Sequence, residues 1–199
     1  IAAVGGNFAA LATENAADYV LSGIKRFEAH QWEEAVQDFT KAIALDPNLA
    51  EAHYRRFLVR MNRGEDERAT RDINRAISLD ASSARYVAGR GELFMRTNQL
   101  KEALDDFNKA VELDPTFDAA YALRASLWLR EGQLQEALGD ATRAVELEAS
   151  AENLLVRSSV YMEAGDADKA EADLRAATEA SPENLGAWLC LGDFYRLVK

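Results

Sequence analysis

Four arginines and five aspartates recur in this chain at regular separations. Arg56, Arg90, Arg124 and Arg157 form one column, and Asp38, Asp72, Asp106, Asp140 and Asp173 form a second. The chemistry these types support is ion pairing, because a guanidinium offers a planar fork of donors and a carboxylate accepts two of them. Two pairings are open, one joining each arginine to the aspartate that follows it and one to the aspartate that precedes it. The first leaves Asp38 facing Ser22, and the second leaves Asp173 facing Leu191.

Little else in the sequence could catalyse a reaction. One cysteine, Cys190, excludes an internal disulfide, and the two histidines, His30 and His53, lie too far apart in the pattern to start a metal cluster. No serine or cysteine stands in a nucleophile motif, and no glycine-rich phosphate loop follows a strand. Adjacent acids such as Asp105 and Asp106 fall on a helix face, where solvation accounts for them. The expectation is a chain with no catalytic residue, no metal and no cofactor.

The elements that must carry the charged columns are written in the spacing of small and large residues. Alanine stands at 35, 69, 103, 137 and 170, and again at 42, 76, 110, 144 and 177. These columns define a 34-residue register whose first position is Ala16, Ala50, Ala84, Asp118, Ala151 and Leu185, one residue having been lost from the fourth copy. Five complete copies result, 16–49, 50–83, 84–117, 118–150 and 151–184, with a half copy at 185–199. Position 24 is larger (Phe39, Ile73, Phe107, Ala141, Leu174), and all three prolines, Pro47, Pro115 and Pro182, fall at position 32. Such self-similarity is the mark of a solenoid. Each copy predicts a helix A over positions 2–14 and a helix B over positions 18–31, too short to persist alone in water and stable only when stacked.

These residues resemble the tetratricopeptide repeat (TPR) family. Trp188, Leu191, Gly192 and Tyr195 match the start of its pattern, and Ala103, Phe107 and Pro115 match the remainder. The resemblance covers residues 16–199 and implies an all-α, right-handed solenoid of stacked helix-turn-helix repeats. At position 15, Gly64, Gly132 and Gly165 alternate with His30 and Asn98, which suits a left-handed turn between helices A and B. Repeat 2 departs from the pattern at His53, Arg56, Phe57 and Arg60. Its helix A either forms a special pocket or is repacked, with Phe57 replacing the missing bulk.

A net charge of −11 and a pI near 4.7 argue against general nucleic-acid binding, which leans on a basic surface. No run approaches the roughly 18–20 apolar residues of a membrane span. Residues 1–15 hold one charge, Glu14. They read either as the end of a signal peptide or as a short helix, capped by Asn7 and covering the first repeat, with Thr13 capping the next helix. The compartment is not fixed by these residues, with the cytoplasm favoured.

Members of the family bind extended peptides or helices on the concave face lined by helix A. Carried over, that face is Val20, Ile24 and Phe27 in repeat 1, then Tyr54, Leu58, Met61 and Asn62 in repeat 2. Repeat 3 adds Arg85, Glu92, Met95 and Arg96, repeat 4 adds Ser126, Leu129 and Arg130, and repeat 5 adds Ser159 and Met162. All three methionines, Met61, Met95 and Met162, stand at position 12, serving either as an adaptable lining or as contacts between A helices. The clamp by which some members hold chaperone carboxylates is not matched, since Val20, Ile24, Arg55, Arg85 and Gly89 stand where it has Lys, Asn, Asn, Lys and Arg. The expected function is a protein-interaction scaffold holding a peptide or helix that offers an apolar anchor and an acidic flank. Leu189, Phe194, Leu197 and Val198 make the last helix more apolar than a terminal helix needs, so either the array continues or this end meets another molecule, and homotypic assembly through this helix or the N-terminal segment is the alternative function.

Overall fold

The computed structural model describes residues 15–198. Among them are eleven α-helices and no strand. The chain divides into two compact units. The first, ending at Leu79, holds α1 (Ala16–Glu28), α2 (Trp32–Leu45), α3 (Ala50–Asn62) and α4 (Asp66–Leu79). The second, from Asp80, holds α5 (Ala84–Arg96), α6 (Leu100–Leu113), α7 (Asp118–Arg130), α8 (Leu134–Leu147), α9 (Ala151–Glu163), α10 (Ala167–Ala180) and α11 (Leu185–Leu197).

Odd helices through α9 are the A helices and even ones the B helices, with α11 in helix-A register. Each helix begins one residue earlier than the alanine pattern alone predicts. In repeat 1 the start is set by Asn15, not by Thr13. The Asn15 side chain accepts from the Asp18 N–H while the Asp18 carboxylate accepts from the Asn15 N–H, a reciprocal cap. Thr13 and the Asn7 cap lie outside the described residues.

The A-to-B turn is the same in all five repeats. The N–H of Gln31, Glu65, Gln99, Gln133 or Asp166 donates to a carbonyl five residues earlier, which requires a left-handed residue just before it. Gly64, Gly132 and Gly165 sit there at φ 71°, 73° and 76°, and His30 and Asn98 accept the same conformation at 58° and 63°.

Within each unit, B helices pack on the A helix of their own repeat and on the next, and neighbouring A helices touch. Both alanine columns are fully buried. At position 8 of helix A, Gly23 and Gly91 admit the rings of Phe39 and Phe107. A Cβ added there would lie 2.6 Å and 2.7 Å from ring carbons. Volume is exchanged in repeat 2, where fully buried Phe57 takes position 8 and the smaller Ile73 takes position 24. Repeat 2 is therefore repacked, its bulk moved from one helix to the other.

The residue missing from the fourth copy is lost from the α8–α9 loop, which is one shorter than its counterparts. Ser150 caps α9 by accepting from the Asn153 N–H. Buried Asn153 then donates its amide to Asp118 and to the carbonyls of Ala144 and Glu148, satisfying groups the shortened loop would leave unpaired.

Candidate partner-binding face

Helix A carries the arginine column and helix B the aspartate column, and both are structural. Each arginine grips the aspartate of its own repeat with two donors. Arg56 reaches Asp72 at 2.9 and 2.7 Å, Arg90 reaches Asp106 at 2.8 Å twice, Arg124 reaches Asp140 at 2.7 and 2.8 Å, and Arg157 reaches Asp173 at 2.7 Å twice. These hydrogen bonds hold the Arg90, Arg124 and Arg157 guanidiniums above their ordinary range. The third donor group ties repeats together: Arg56 also donates to Thr40, and Arg124 to Asn108, on the preceding B helix.

Repeat 1 solves the missing arginine in a way the columns did not reveal. Ser22 donates to Asp38 at 2.6 Å, and Arg26, one turn further along α1, brings its Nε to 3.2 Å. Repeat 2 has both devices, since Arg60 at the register position of Arg26 joins Arg56 on Asp72, at 2.6 Å. His53 completes this cluster. Its Nε2 lies 3.2 Å from the Pro47 carbonyl, which fixes Nε2–H as donor in the neutral ring, and its Nδ1 stands 3.8 Å from Asp72 without a hydrogen bond. Burial pushes the His53 pKa down, against the raising influence of Pro47 and Asp72 and with the help of Arg56 and Arg75.

In the first unit, Val20 and Tyr54 are buried and belong to the core. Ile24, Phe27 and Leu58 are half-buried and line, with Phe39 and Arg55, a narrow cleft of about 10 Å³, room for about one water molecule. Met61 is half-buried beside them in sequence, and exposed Asn62 turns its amide back to the Leu58 carbonyl.

In the second unit the arginines have separate settings. Exposed Arg85 lies 5.4 Å from the Tyr86 ring centroid. Arg96 offsets, one turn away, the burial that pushes the Glu92 carboxyl up. Arg130 donates to the Met95 carbonyl and to the Asn98 side chain, clamping the end of α5. Both acceptors are neutral, so Arg130 keeps its net charge. Met95 and Leu129 are partly buried against core clusters, and Ser126 donates to the Ala122 carbonyl. Position 12 thus serves inter-helix contact in Met95 and Met162.

A larger cleft lies further along the second unit. Ser158, Ser159, Met162 and Leu174 face Cys190, Asp193, Phe194 and Leu197 around about 190 Å³, enough to seat an apolar side chain. Position 12 signalled Met162, but the rest of the lining is gathered by the packing of α11 on α9 and α10, which spacing alone does not show. Among the described residues no group of three or more His, Cys, Asp or Glu side chains is placed to hold a metal, and no helix is long and apolar enough to cross a membrane.

Models of the tetratricopeptide repeat match residues 25–56, 84–117 and 151–194, together more than half of the chain. No curated protein sequence matches. Among solved structures, a thermophilic TPR protein of Thermus thermophilus superposes with a TM-score of 0.83 at 17% identity, covering 90% of this chain and 98% of its own. PilF of Pseudomonas aeruginosa gives 0.75 at 17% identity, covering 92% and 84%. YrrB, a TPR protein with an unusual peptide-binding site, gives 0.57 at 22% identity, covering 87% and 90%.

Proposed function

The chain belongs to the tetratricopeptide repeat family, a family of protein-interaction scaffolds, and we propose that it holds a peptide or helix of a partner against its A helices. The observation that carries this reading is the apolar lining of those helices: half-buried Ile24, Phe27 and Leu58 beside a narrow cleft, and half-buried Met162 with exposed Leu197 around a roomier one. Peptide binding by YrrB, which shares the fold, is consistent with it.

In the second unit the ligand offers an apolar anchor to Met95 and an acidic flank to Arg85, Arg96 and Arg130, and in the first unit Ile24, Phe27, Leu58 and Met61 take an apolar side chain. The anchor supplies most of the affinity, since buried anchors dominate interfaces while exposed charges set specificity and association rate. At long range the net charge of −11 disfavours uniformly acidic ligands, so a mixed segment is selected.

A displayed library of random twelve-residue peptides, panned on the intact chain, tests this. Enriched sequences should pair a large apolar residue with neighbouring Asp or Glu, and their affinity should fall measurably but not steeply with salt. Enrichment of wholly basic or charge-free sequences would refute the assigned ligand chemistry.

A further inference from the structure

We propose that Glu92 is a specificity-determining residue that takes a lysine or arginine side chain of the bound segment, beside the acidic side chain that meets Arg96. The assignment rests on the A helices being the peptide-binding face, and it adds a cation to the ligand described above.

Acids drawn out of full solvent exposure are elsewhere held by donors. The column aspartates accept from serine or arginine, and Asp118 accepts from Asn153 at 2.6 Å. Glu51 and Glu171 each close an ion pair with the arginine four residues on, Arg55 at 2.6 Å and Arg175 at 2.8 Å. Glu92 has the same spacing to Arg96, in the order that favours such a pair, yet the pair is open. Glu92 is half-buried, and among the described residues no donor lies within hydrogen-bond reach of its carboxylate. Arg96 acts on it only across space, against the burial that pushes the carboxyl up.

The backbone gives this acid no way to withdraw. Gly91 before it admits the Phe107 ring, and Leu93 after it is 2% exposed in the core. Glu92 stands at position 9 of helix A, and the other complete repeats leave no unmet acceptor there. Ile24 and Leu58 are apolar, while Ser126 and Ser159 donate to the Ala122 and Leu155 carbonyls of their own helices.

A partly desolvated carboxylate without a donor costs free energy in the unbound protein. A cation that arrives with the ligand removes this cost only in the complex, through a charge-assisted hydrogen bond, so the gain appears as selectivity among ligands. A neutral donor would satisfy the oxygen but leave the charge unpaired. Residues one helical turn apart, as Glu92 and Arg96 are, stand about 6 Å apart along the axis, and their order of charge asks for the opposite order in the ligand. An extended segment spans that distance in about two residues and a helical one in three or four. The bound segment therefore carries lysine or arginine at that separation from its Asp or Glu.

The test pans the same random peptide library in parallel on the intact chain and on its near-isosteric Glu92→Gln variant at neutral pH. Sequences from the intact chain should place lysine or arginine near their Asp or Glu, and those from Glu92→Gln should keep the apolar and acidic residues and lose that cation. In a synthetic copy of the best peptide, replacing the lysine or arginine by methionine should weaken binding to the intact chain roughly tenfold and to Glu92→Gln hardly at all. Apolar and acidic residues enriched without a cation, or equal losses on both chains, would overturn this proposal and leave the peptide-binding reading standing. No enriched peptide on either chain would overturn both. An NMR titration of the side-chain carboxyl supplies a readout that needs no peptide: Glu92 should titrate above its ordinary value of 4.5 in the free chain. A value below that would show the pair with Arg96 closed and would also overturn the proposal.

Discussion

At the scale of residues, the arginine and aspartate columns explain how polar groups are carried through a stack of apolar helices. Arg124 and Asp140 are 18% and 13% exposed, so removing one partner strands a largely desolvated charge. Arg124→Leu with Asp140→Leu in a double-mutant cycle should give a coupling of roughly 1–3 kcal/mol, and Arg124 with Asp106 close to none. Equal couplings in the two cycles would contradict the pairing within each repeat. The columns were legible from spacing, but their pairing was not, because it depends on how a hairpin of two helices brings position 7 opposite position 23. The role of Arg26 was hidden for the same reason, since a neighbour one helical turn away replaces the absent arginine only in three dimensions.

His53 adds a pH dependence at this scale. Its folded pKa lies below the ordinary value of 6.5, so below that value the unfolded chain binds the proton more readily than the folded one. The contribution of the neutral ring is complete above about pH 6.5 and is lost as pH falls through that value toward the lowered folded pKa. The first unit should therefore lose stability on acidification from pH 7 to pH 5, and His53→Gln should flatten that part of the profile. An unchanged slope in the variant would place the acid sensitivity elsewhere.

At the scale of elements, the helices were legible because alanine columns mark where two axes approach closely. Their starts were placed one residue late because Gln31, Gln99 and Gln133 precede the B helices without a side-chain cap, leaving no Ser, Thr, Asp or Asn to mark the boundary. Ala103 is fully buried at such a crossing, so Ala103→Leu should cost roughly 1–3 kcal/mol through strain, read as a lower Tm. The α8–α9 loop makes a separate demand. Asn153→Ala removes the donor shared by Asp118, Ala144 and Glu148 and should cost about 1–3 kcal/mol, while Ser159→Ala, exposed on the same helix, should change stability little. Equal effects of the two would mean the shortened loop is not supported by Asn153.

At the scale of the whole molecule, the repeat pattern identified a family of scaffolds but not which surface of each repeat meets a partner. Period and composition report burial averaged over copies, so they could not separate Val20 and Tyr54, which the core absorbs, from Ile24 and Leu58, which border a cleft. Nor could they show that arginine-rich residues 50–100 spend much of their charge internally, through Arg56, Arg60 and Arg90. The central claim is that the A helices carry the binding face. It is tested most directly by the affinity of the best library-selected peptide for three variants, each checked by circular dichroism for intact helix content. Met95→Glu should abolish binding, Arg96→Ala should weaken it modestly and reduce its salt sensitivity, and Arg71→Glu, exposed on helix B, should leave it unchanged. Binding lost in Arg71→Glu and kept in the other two would contradict the account and move the site to the helix-B face.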